Sequence, residues 1–394
     1  MADHIPFITG DDGSKLVSKI YSDSDIVRVS LDRARKLLPL RSATTKVWLD
    51  PCIDGMDDPE TRRPRPDRPN SWFEFMVDFV NFQKIAAPDF QLRPIQSEVD
   101  AFVEAVLDKC AEYKPAWITV PQIPLVDNSS RNMINRALAK ATGRWKSSNN
   151  FSGRLILPLV FTHQNQLNGK TARNPKVQQA GRCYDEAQAD GFWAVDASLA
   201  DESGSSNLRN KRFQGLIDLH EELNDRISSK IRIAGPYWGL NLVLWARGLV
   251  DYPAVGIGSG YQYFIAGGPT KQPSVKLALP SLRRRAGVGP QLNKWLDTVT
   301  AKLAPAHPAY GDLIKIKKQY TPLSELARAR EQVAMLYKQW FDIIAASPKA
   351  GRSMALFQDL STAYAFGKSL PELVGEGPAR RPESVAESLM LSCL

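Results

Sequence analysis

Short apolar runs that end in a polar residue or a glycine alternate with helix-like stretches along most of this chain. Buried parallel strands have continuous apolar sequences of this kind, because helices cover both faces of a parallel sheet. Six such strands are predicted, at residues 46–50, 116–122, 155–161, 192–196, 230–235 and 253–258. Two weaker runs, at residues 26–29 and 90–93, would raise the number of strands to eight.

The stretches between these runs are predicted to be helices. In residues 97–113, apolar side chains recur at three- and four-residue steps and form one buried stripe. Strand–helix alternation indicates an α/β fold, and the number of units favours a closed (β/α)8 barrel of the TIM type. The alternative is an open doubly wound sheet, which usually carries a glycine fingerprint after its first strand when it binds a dinucleotide. No such fingerprint follows residues 46–50, so we predict the barrel.

The pattern changes after residue 290, where the strands end. Residues 291–375 are helical by pattern and are predicted to form an appendage that packs on the barrel. Residues 1–290 then form the barrel with a short lead-in, and residues 376–394 form a loosely held tail. A (β/α)8 barrel takes about 250 residues. The chain of 394 residues is therefore long enough for a barrel with a helical extension.

Composition predicts that the chain is a globular protein of the cytoplasm. The hydrophobic fraction of 43% is that of a globular protein. No apolar run approaches the roughly 18 to 20 residues of a membrane span, and the first residues do not resemble a signal peptide, so we expect no membrane association. The four cysteines share no paired spacing, which argues against structural zinc and favours reduced thiols in a cytoplasmic protein.

The formal net charge of +9 is unevenly distributed. Basic clusters neutralise phosphates and release counterions, so nucleic acid or a nucleotide is a predicted partner. The alternative is a solvated face that contacts no polyanion. A protein partner that docks on the C-terminal helices is a further expectation. The residues predicted to contact a nucleic-acid backbone are Arg62, Arg63, Arg65, Arg68, Arg283, Arg284 and Arg285.

Ionisable residues follow several predicted strands, at the end where barrels place their chemistry. Asp50 and Asp196 each end a strand and are candidate acid/base or nucleophilic residues. The alternative is that each caps the turn that follows it. His163 is a third candidate catalytic residue, since imidazole titrates near neutral pH, although a lone histidine also serves to satisfy a backbone carbonyl. No cofactor is evident, but with Asp54 this set would suit Mg²⁺ better than zinc.

Glycine-bearing turns with aromatic residues follow the last two predicted strands. Loops after late barrel strands often bind phosphate through backbone N–H groups, and glycine permits that close approach. Aromatic faces can stack on a base, although they could equally close the barrel mouth against the C-terminal helices. Two glutamines could hydrogen-bond a heterocycle. The candidate substrate-binding residues are Asp54, Gln122, Gln164, Gly235, Tyr237, Trp238, Gly256, Gly258, Ser259 and Tyr261.

Residues 233–239, the helix after them and the strand 255–258 resemble part of the tRNA-guanine transglycosylases. That family combines a glycine-rich base-recognition turn, a helix and a glycine-containing late strand. The resemblance implies a (β/α)8 barrel and base exchange through aspartate chemistry on RNA or DNA, with Asp50 matching the aspartate after the family's early strand. Residues 51–53 replace the family's glycine-rich run, and its zinc-binding cysteine cluster is absent from this sequence.

These observations predict an enzyme that acts on a nucleobase, nucleotide or nucleic acid, by base exchange (a glycosyltransferase reaction) or by hydrolysis. The sequence holds no H-E-x-x-H, P-loop, G-x-S-x-G or S-x-x-K motif, which argues against zincins, nucleotide triphosphatases and α/β-hydrolases. The alternative is a non-catalytic barrel that mediates protein or nucleic-acid interactions. That alternative predicts an occluded barrel mouth with no ionisable groups within reach of one another.

Overall fold

The computed structural model describes residues 4–8, 13–53, 96–125, 129–162, 165–199, 204–256, 276–320 and 326–394. Its strands are β1 (Ile5–Ile8), β2 (Ile26–Ser30), β3 (Lys46–Asp50), β4 (Trp117–Thr119), β5 (Arg154–Phe161), β6 (Gly191–Asp196), β7 (Ile231–Ala234), β8 (Tyr252–Gly256), β9 (Lys276–Leu279) and β10 (Arg284–Gly287). Its α-helices are α1 (Ser14–Asp23), α2 (Leu31–Leu37), α3 (Gln96–Ala111), α4 (Ser129–Asn149), α5 (Lys170–Ala187), α6 (Ser206–Arg226), α7 (Leu240–Ala246), α8 (Pro290–Lys302), α9 (Tyr310–Tyr320), α10 (Leu326–Ala345), α11 (Arg352–Lys368) and α12 (Ser384–Ser392).

Strands β1 to β8 form a closed barrel in which each strand pairs with its sequence neighbour and β1 also pairs with β8. All of these pairings are parallel, so the predicted TIM-type barrel is confirmed. The predicted strand at residues 26–29 is present as β2. The eighth strand is β1, which the sequence pattern left in the lead-in, because four residues that include a proline carry little periodicity. The predicted strand at residues 90–93 lies outside the described residues.

Aromatic side chains fill the inside of the barrel. Phe7, Trp48 and Trp193 come from three different strands, and their ring centroids lie 5.4 to 5.5 Å apart. The indole N–H of Trp48 donates to the hydroxyl of Thr119 at 2.8 Å, which satisfies a polar atom that would otherwise be buried without a partner. Because side chains alternate between the two faces of a strand, these residues identify the inward-facing positions of β1, β3 and β6.

The C-terminal helices contribute to the same hydrophobic core as the barrel. Tyr337, Trp340 and Phe341 of α10 belong to the main core cluster, and so do buried residues of α11 and α12. A second cluster lies beneath the antiparallel hairpin β9–β10 and joins it to α8 and α9. The sequence pattern did not predict this hairpin. The barrel therefore shares its core with α10, α11 and α12, whereas the hairpin, α8 and α9 pack around a second core.

The chain ends in a packed helix, which corrects the prediction of a loosely held tail. Val385, Ala386 and Leu389 of α12 are fully buried. The guanidinium of Arg209, on α6, donates to the hydroxyl of Ser388 at 3.0 Å. An apolar stripe and a buried hydrogen bond together hold α12 against the barrel. Among the described residues, no helix is long and apolar enough to cross a membrane.

Candidate functional site

Asp50 lies inside the barrel at its carboxyl-terminal end, paired with an arginine. Trp48 points inward, so Asp50, two residues later on β3, shares its orientation. Arg28 of β2 donates to Oδ2 of Asp50 through Nε at 3.0 Å and through Nη2. The same guanidinium lies 4.9 Å from the ring centroid of Phe7. Both charged side chains are buried, Asp50 with 0% and Arg28 with 7% of its surface exposed.

Cys52, which follows Pro51 after the end of β3, completes this cluster. The backbone N–H of Cys52 donates to Oδ1 of Asp50 at 2.9 Å, so Asp50 also makes the turn that the capping alternative predicted. Nη2 of Arg28 lies 2.9 Å from Sγ of Cys52. The backbone of Cys52 has a φ of 54°, in the left-handed region that side-chain-bearing residues rarely adopt. We call Arg28, Asp50 and Cys52 the mouth cluster.

Asp196 makes the same turn but lies on the other side of the barrel wall. Its Oδ1 accepts from the backbone N–H of Ser198 at 3.0 Å, and its Oδ2 accepts from Arg212 of α6 at 2.7 Å. Trp193 points inward, so Asp196, three residues later on β6, points outward to the helices. The structure therefore does not bring Asp50 and Asp196 together. Asp196 holds α6 on the strand end through a buried ion pair.

The described candidate substrate-binding residues form structural contacts. The amide of Gln122 donates to the backbone oxygens of Pro121 and Asn135, which turns it toward α4. Tyr237 is buried, and its hydroxyl accepts from the backbone N–H of Asp196 at 2.6 Å. The ring of Trp238 packs on the aromatic residues of α10, as the barrel-closing alternative predicted.

The two described glycines of the set lie within the barrel wall. Gly256 ends β8 and pairs with Phe7. Gly235 has a φ of 115°, and a Cβ there would lie 2.4 Å from the carbonyl oxygen of Ala254, so only glycine fits beside β8. The carbonyl of Gly235 also accepts from the indole of Trp193 at 2.6 Å. Gly235 therefore serves close packing against β8, and Gly256 is a paired residue of the barrel wall.

The second arginine cluster is internal. Arg283 forms an ion pair with Asp359 of α11, with Nε–Oδ2 at 2.8 Å, and Arg284 donates to the backbone oxygens of Ala379 and Arg381. Arg284 and Arg285 expose 0% and 1% of their surface. Arg283 and Arg284 tie the hairpin to the C-terminal part of the chain, and the guanidinium of Arg285 lies 5.6 Å from the ring centroid of Trp238. These three residues, the arginine triplet, therefore do not present a surface for a nucleic-acid backbone.

The remaining predicted site residues lie outside the described residues: His163, Asp54, Gln164, Gly258, Ser259, Tyr261, Arg62, Arg63, Arg65 and Arg68. Two of them, Asp54 and His163, belong to the set of residues predicted to suit Mg²⁺. Within the described ranges, no three histidine, cysteine, aspartate or glutamate side chains come close enough together to hold a metal ion.

Two residues of the mouth cluster were not singled out from the sequence. Arg28 interrupts an otherwise apolar run, 26–29, and a charged residue within a buried strand is a detectable signal, because it needs a partner inside. Cys52 was considered only in the cysteine count. The other three cysteines are buried, and burial raises the pKa of Cys183 and Cys393 to about 12 and that of Cys110 well above its ordinary value.

No protein-family model matches this chain, and no curated protein matches it. Two solved structures resemble it weakly, both of the carboxyl transferase domain of Rhizobium etli pyruvate carboxylase. A single-residue variant with pyruvate has a TM-score of 0.38 at 10% identity and is matched over 99% of this chain and 61% of that chain. The domain with pyruvate and biocytin has a TM-score of 0.36 at 11% identity, over 99% and 60% of the two chains. This chain thus spans about three fifths of theirs, and similarity at this level carries no argument about function.

Proposed function

We propose that this protein is an enzyme that acts on a nucleobase, nucleotide or nucleic acid at the carboxyl-terminal mouth of its barrel, with Asp50 as the essential carboxylate. The observation that carries the proposal is the mouth cluster, a buried ion pair beside a thiol at the end of the barrel where (β/α)8 enzymes place their sites. Burying two charges costs several kcal/mol per ion before their attraction offsets it. An apolar pair would fill the same space without that cost.

The hydrogen bonds of Asp50 support a role in binding an N–H group. An ionised carboxylate has about four lone-pair positions. Arg28 and the backbone of Cys52 occupy three of them in the described structure, two on Oδ2 and one on Oδ1. One position on Oδ1 is left for a substrate donor, and a ring N–H of a nucleobase is such a donor. Accepting that hydrogen bond, or the proton itself, is the role we assign to Asp50.

Support for a nucleic-acid substrate comes from the positive charge of the chain, but the arginine triplet no longer contributes to it. Arg284 and Arg285 are buried and Arg283 is paired with Asp359, so the argument rests on the net charge of +9 and on the cluster at residues 62–68. Base exchange, which the transglycosylase resemblance implies, and hydrolysis are two forms of the proposal. Mg²⁺ as a cofactor, a protein partner on the C-terminal helices and a cytoplasmic location remain predictions.

A second candidate is the non-catalytic barrel, and one observation favours it. Asp50 exposes no surface and caps its own turn, as a purely structural residue would. The two candidates differ in what the mouth binds. A structural pair gives no ligand affinity that depends on Asp50, whereas an active site does.

A ligand panel tests the proposal. Free nucleobases, nucleosides, mononucleotides and short RNA and DNA strands are screened by the shift they cause in the melting temperature. At least one class should stabilise the wild type and lose that effect in Asp50→Asn. Asp251→Asn is the matched control, because it weakens another arginine–aspartate pair, with Arg232, at the amino-terminal end of β8. Equal ligand shifts in all three proteins, or none in the wild type, would refute the proposal.

A further inference from the structure

We infer that a cavity on the outer wall of the barrel, between α1 and α10, is a binding site for a small uncharged aromatic molecule with one hydrogen-bonding group. This wall cavity has a volume of about 120 Å³. Phe7 points into the barrel, so the preceding residue, Pro6, points outward. Pro6 pairs with Val255 of β8, and the two form the floor of the cavity. The inference goes beyond the proposed function, because the wall cavity lies outside the barrel wall that encloses Asp50.

The two helices give the wall cavity apolar sides. Leu16 and Ile20 of α1 line one side, and Ala334 and Met335 of α10 line the other. Helices cover the outer face of a (β/α)8 barrel, but Ala334 presents only a methyl group here, so the space above the floor stays open. An apolar cavity of roughly 150 Å³ is large enough to bind benzene. The volume of the wall cavity therefore suits a molecule built on one aromatic ring.

A buried hydroxyl lines the same cavity. Ser24 follows the last residue of α1 and exposes 9% of its surface. Its side chain makes no hydrogen bond to any other residue that the structure describes. Most buried hydroxyls have a partner, and a serine hydroxyl both donates and accepts. The free hydroxyl of Ser24 therefore indicates a ligand that carries one polar group beside its apolar body.

The charged residues around the wall cavity disfavour an anionic ligand. Lys19 of α1 pairs with Glu331 of α10 at 3.4 Å, which bridges the two helices. Lys338 pairs with Asp342 at 2.8 Å. Each ammonium group that lines the cavity thus already has a carboxylate beside it, and Asp23 adds one more negative charge. A cationic ligand would lose its hydration against the apolar floor, so the ligand is uncharged.

Aromatic side chains at the edge of the wall cavity favour an aromatic ligand over an aliphatic one. His4 lines the cavity and is buried, with 4% of its surface exposed. Its ring centroid lies 5.5 Å from that of Tyr337 and 5.4 Å from that of Phe341. Aromatic rings stabilise one another at centroid distances of about 4.5 to 7 Å. A ring bound beside His4 would extend this existing cluster.

NMR titrations of the native full-length protein at pH 7 with phenol, toluene and benzoate test this inference. Phenol carries a ring and a hydroxyl, toluene has a methyl group in place of the hydroxyl, and benzoate carries a negative charge. Phenol should bind saturably, toluene should bind roughly two- to tenfold more weakly for want of one hydrogen bond, and benzoate should bind more weakly than either. Ser24→Ala should reduce the affinity for phenol to that for toluene and leave toluene binding unchanged.

A cavity-filling variant locates the bound molecule. Ala334→Leu should abolish the binding of phenol and toluene, whereas Ala101→Leu, at an exposed position of α3, should leave both unchanged. If Ala334→Leu does not fold, the wild type and Ser24→Ala decide the question. Asp50→Asn should bind phenol like the wild type, because the wall cavity is separate from the mouth. The inference is overturned if the wild type does not bind phenol, if Ser24→Ala binds it equally well, or if Asp50→Asn loses it.

Discussion

Replacing His220 with leucine should remove a large part of the acid sensitivity of this protein. His220 lies on α6 with 0% of its surface exposed, against the ring of Phe192 at 6.2 Å. Neither ring nitrogen has a hydrogen-bond partner among the described residues. Burial, and to a lesser extent the charge of Arg232 on β7, lowers the pKa of His220 from 6.5 to about 3. The folded protein therefore holds this imidazole neutral where the unfolded chain would protonate it.

The sign and size of the effect follow from linkage. The unfolded state binds more protons between pH 6.5 and 3, so the contribution of His220 to stability is complete above pH 6.5 and is lost as the pH falls through that window. At pH 4.5 the two-state expression gives a loss of about 2 to 3 kcal/mol relative to pH 7. This is a substantial part of the roughly 5 to 15 kcal/mol that stabilises a typical domain.

Urea unfolding followed by tryptophan fluorescence at pH 7, 5.5 and 4.5 measures the effect. His220→Leu should match or exceed the wild type at pH 7, since it removes two unsatisfied buried nitrogens, and should lose less stability at pH 4.5 by about 2 kcal/mol. The half-buried His307 is the control, and His307→Leu should retain the wild-type loss. Identical pH profiles for the wild type and His220→Leu would refute the reasoning.

Three further predictions concern packing and ion pairs elsewhere in the fold. Gly143→Ala should destabilise the fold by more than about 1 kcal/mol in urea unfolding, because its Cβ would lie 2.3 Å from the carbonyl oxygen of Glu186, whereas Gly311→Ala, with nothing within 4 Å, should gain up to about 1 kcal/mol. Asp196→Ala should cost about 3 to 5 kcal/mol, because it leaves Arg212 buried without its anion; a cost under about 1 kcal/mol would contradict a buried pair. Arg284→Met should lower the melting temperature, because Arg284 donates to the backbone oxygens of Ala379 and Arg381. It should not change the salt dependence of RNA or DNA binding. A smaller slope of log affinity against log salt concentration would place Arg284 at the nucleic-acid interface.

The alternation of apolar runs and helices was sufficient to predict the barrel, because burial on both faces leaves a strong signal in strands such as β3 and β5. It was not sufficient for β1, whose four residues acquire their role only by pairing with β8 at closure. The hairpin β9–β10 was missed for a related reason. Its arginines, which are charged in sequence and buried in structure, mask the alternation that would identify two strands.

Asp50 was predicted at the strand end where it lies, but the residues that contact it were not predicted. Asp50 and Asp196 look equivalent in sequence, each ending an apolar strand and starting a turn. They differ because Asp50 lies two residues after the inward-facing Trp48 and so points inward. Asp196 lies three residues after the inward-facing Trp193 and so points outward. Counting from an inward-facing tryptophan separates them, but which tryptophans face inward is known only from the closed barrel. Arg28 and Cys52 meet Asp50 through strand pairing and a left-handed turn, neither of which is encoded in local spacing.

Protection of Cys52 by a bound ligand tests most directly the claim that the mouth cluster is the functional centre. The compound that gives the largest melting shift in the panel is added at saturation, and the alkylation rate of Cys52 is measured at pH 7.5. A ligand seated against Asp50 should slow that rate at least tenfold and should lose this effect in Asp50→Asn. A ligand that stabilises the protein while Cys52 reacts at its unprotected rate would place the binding site elsewhere and contradict the account.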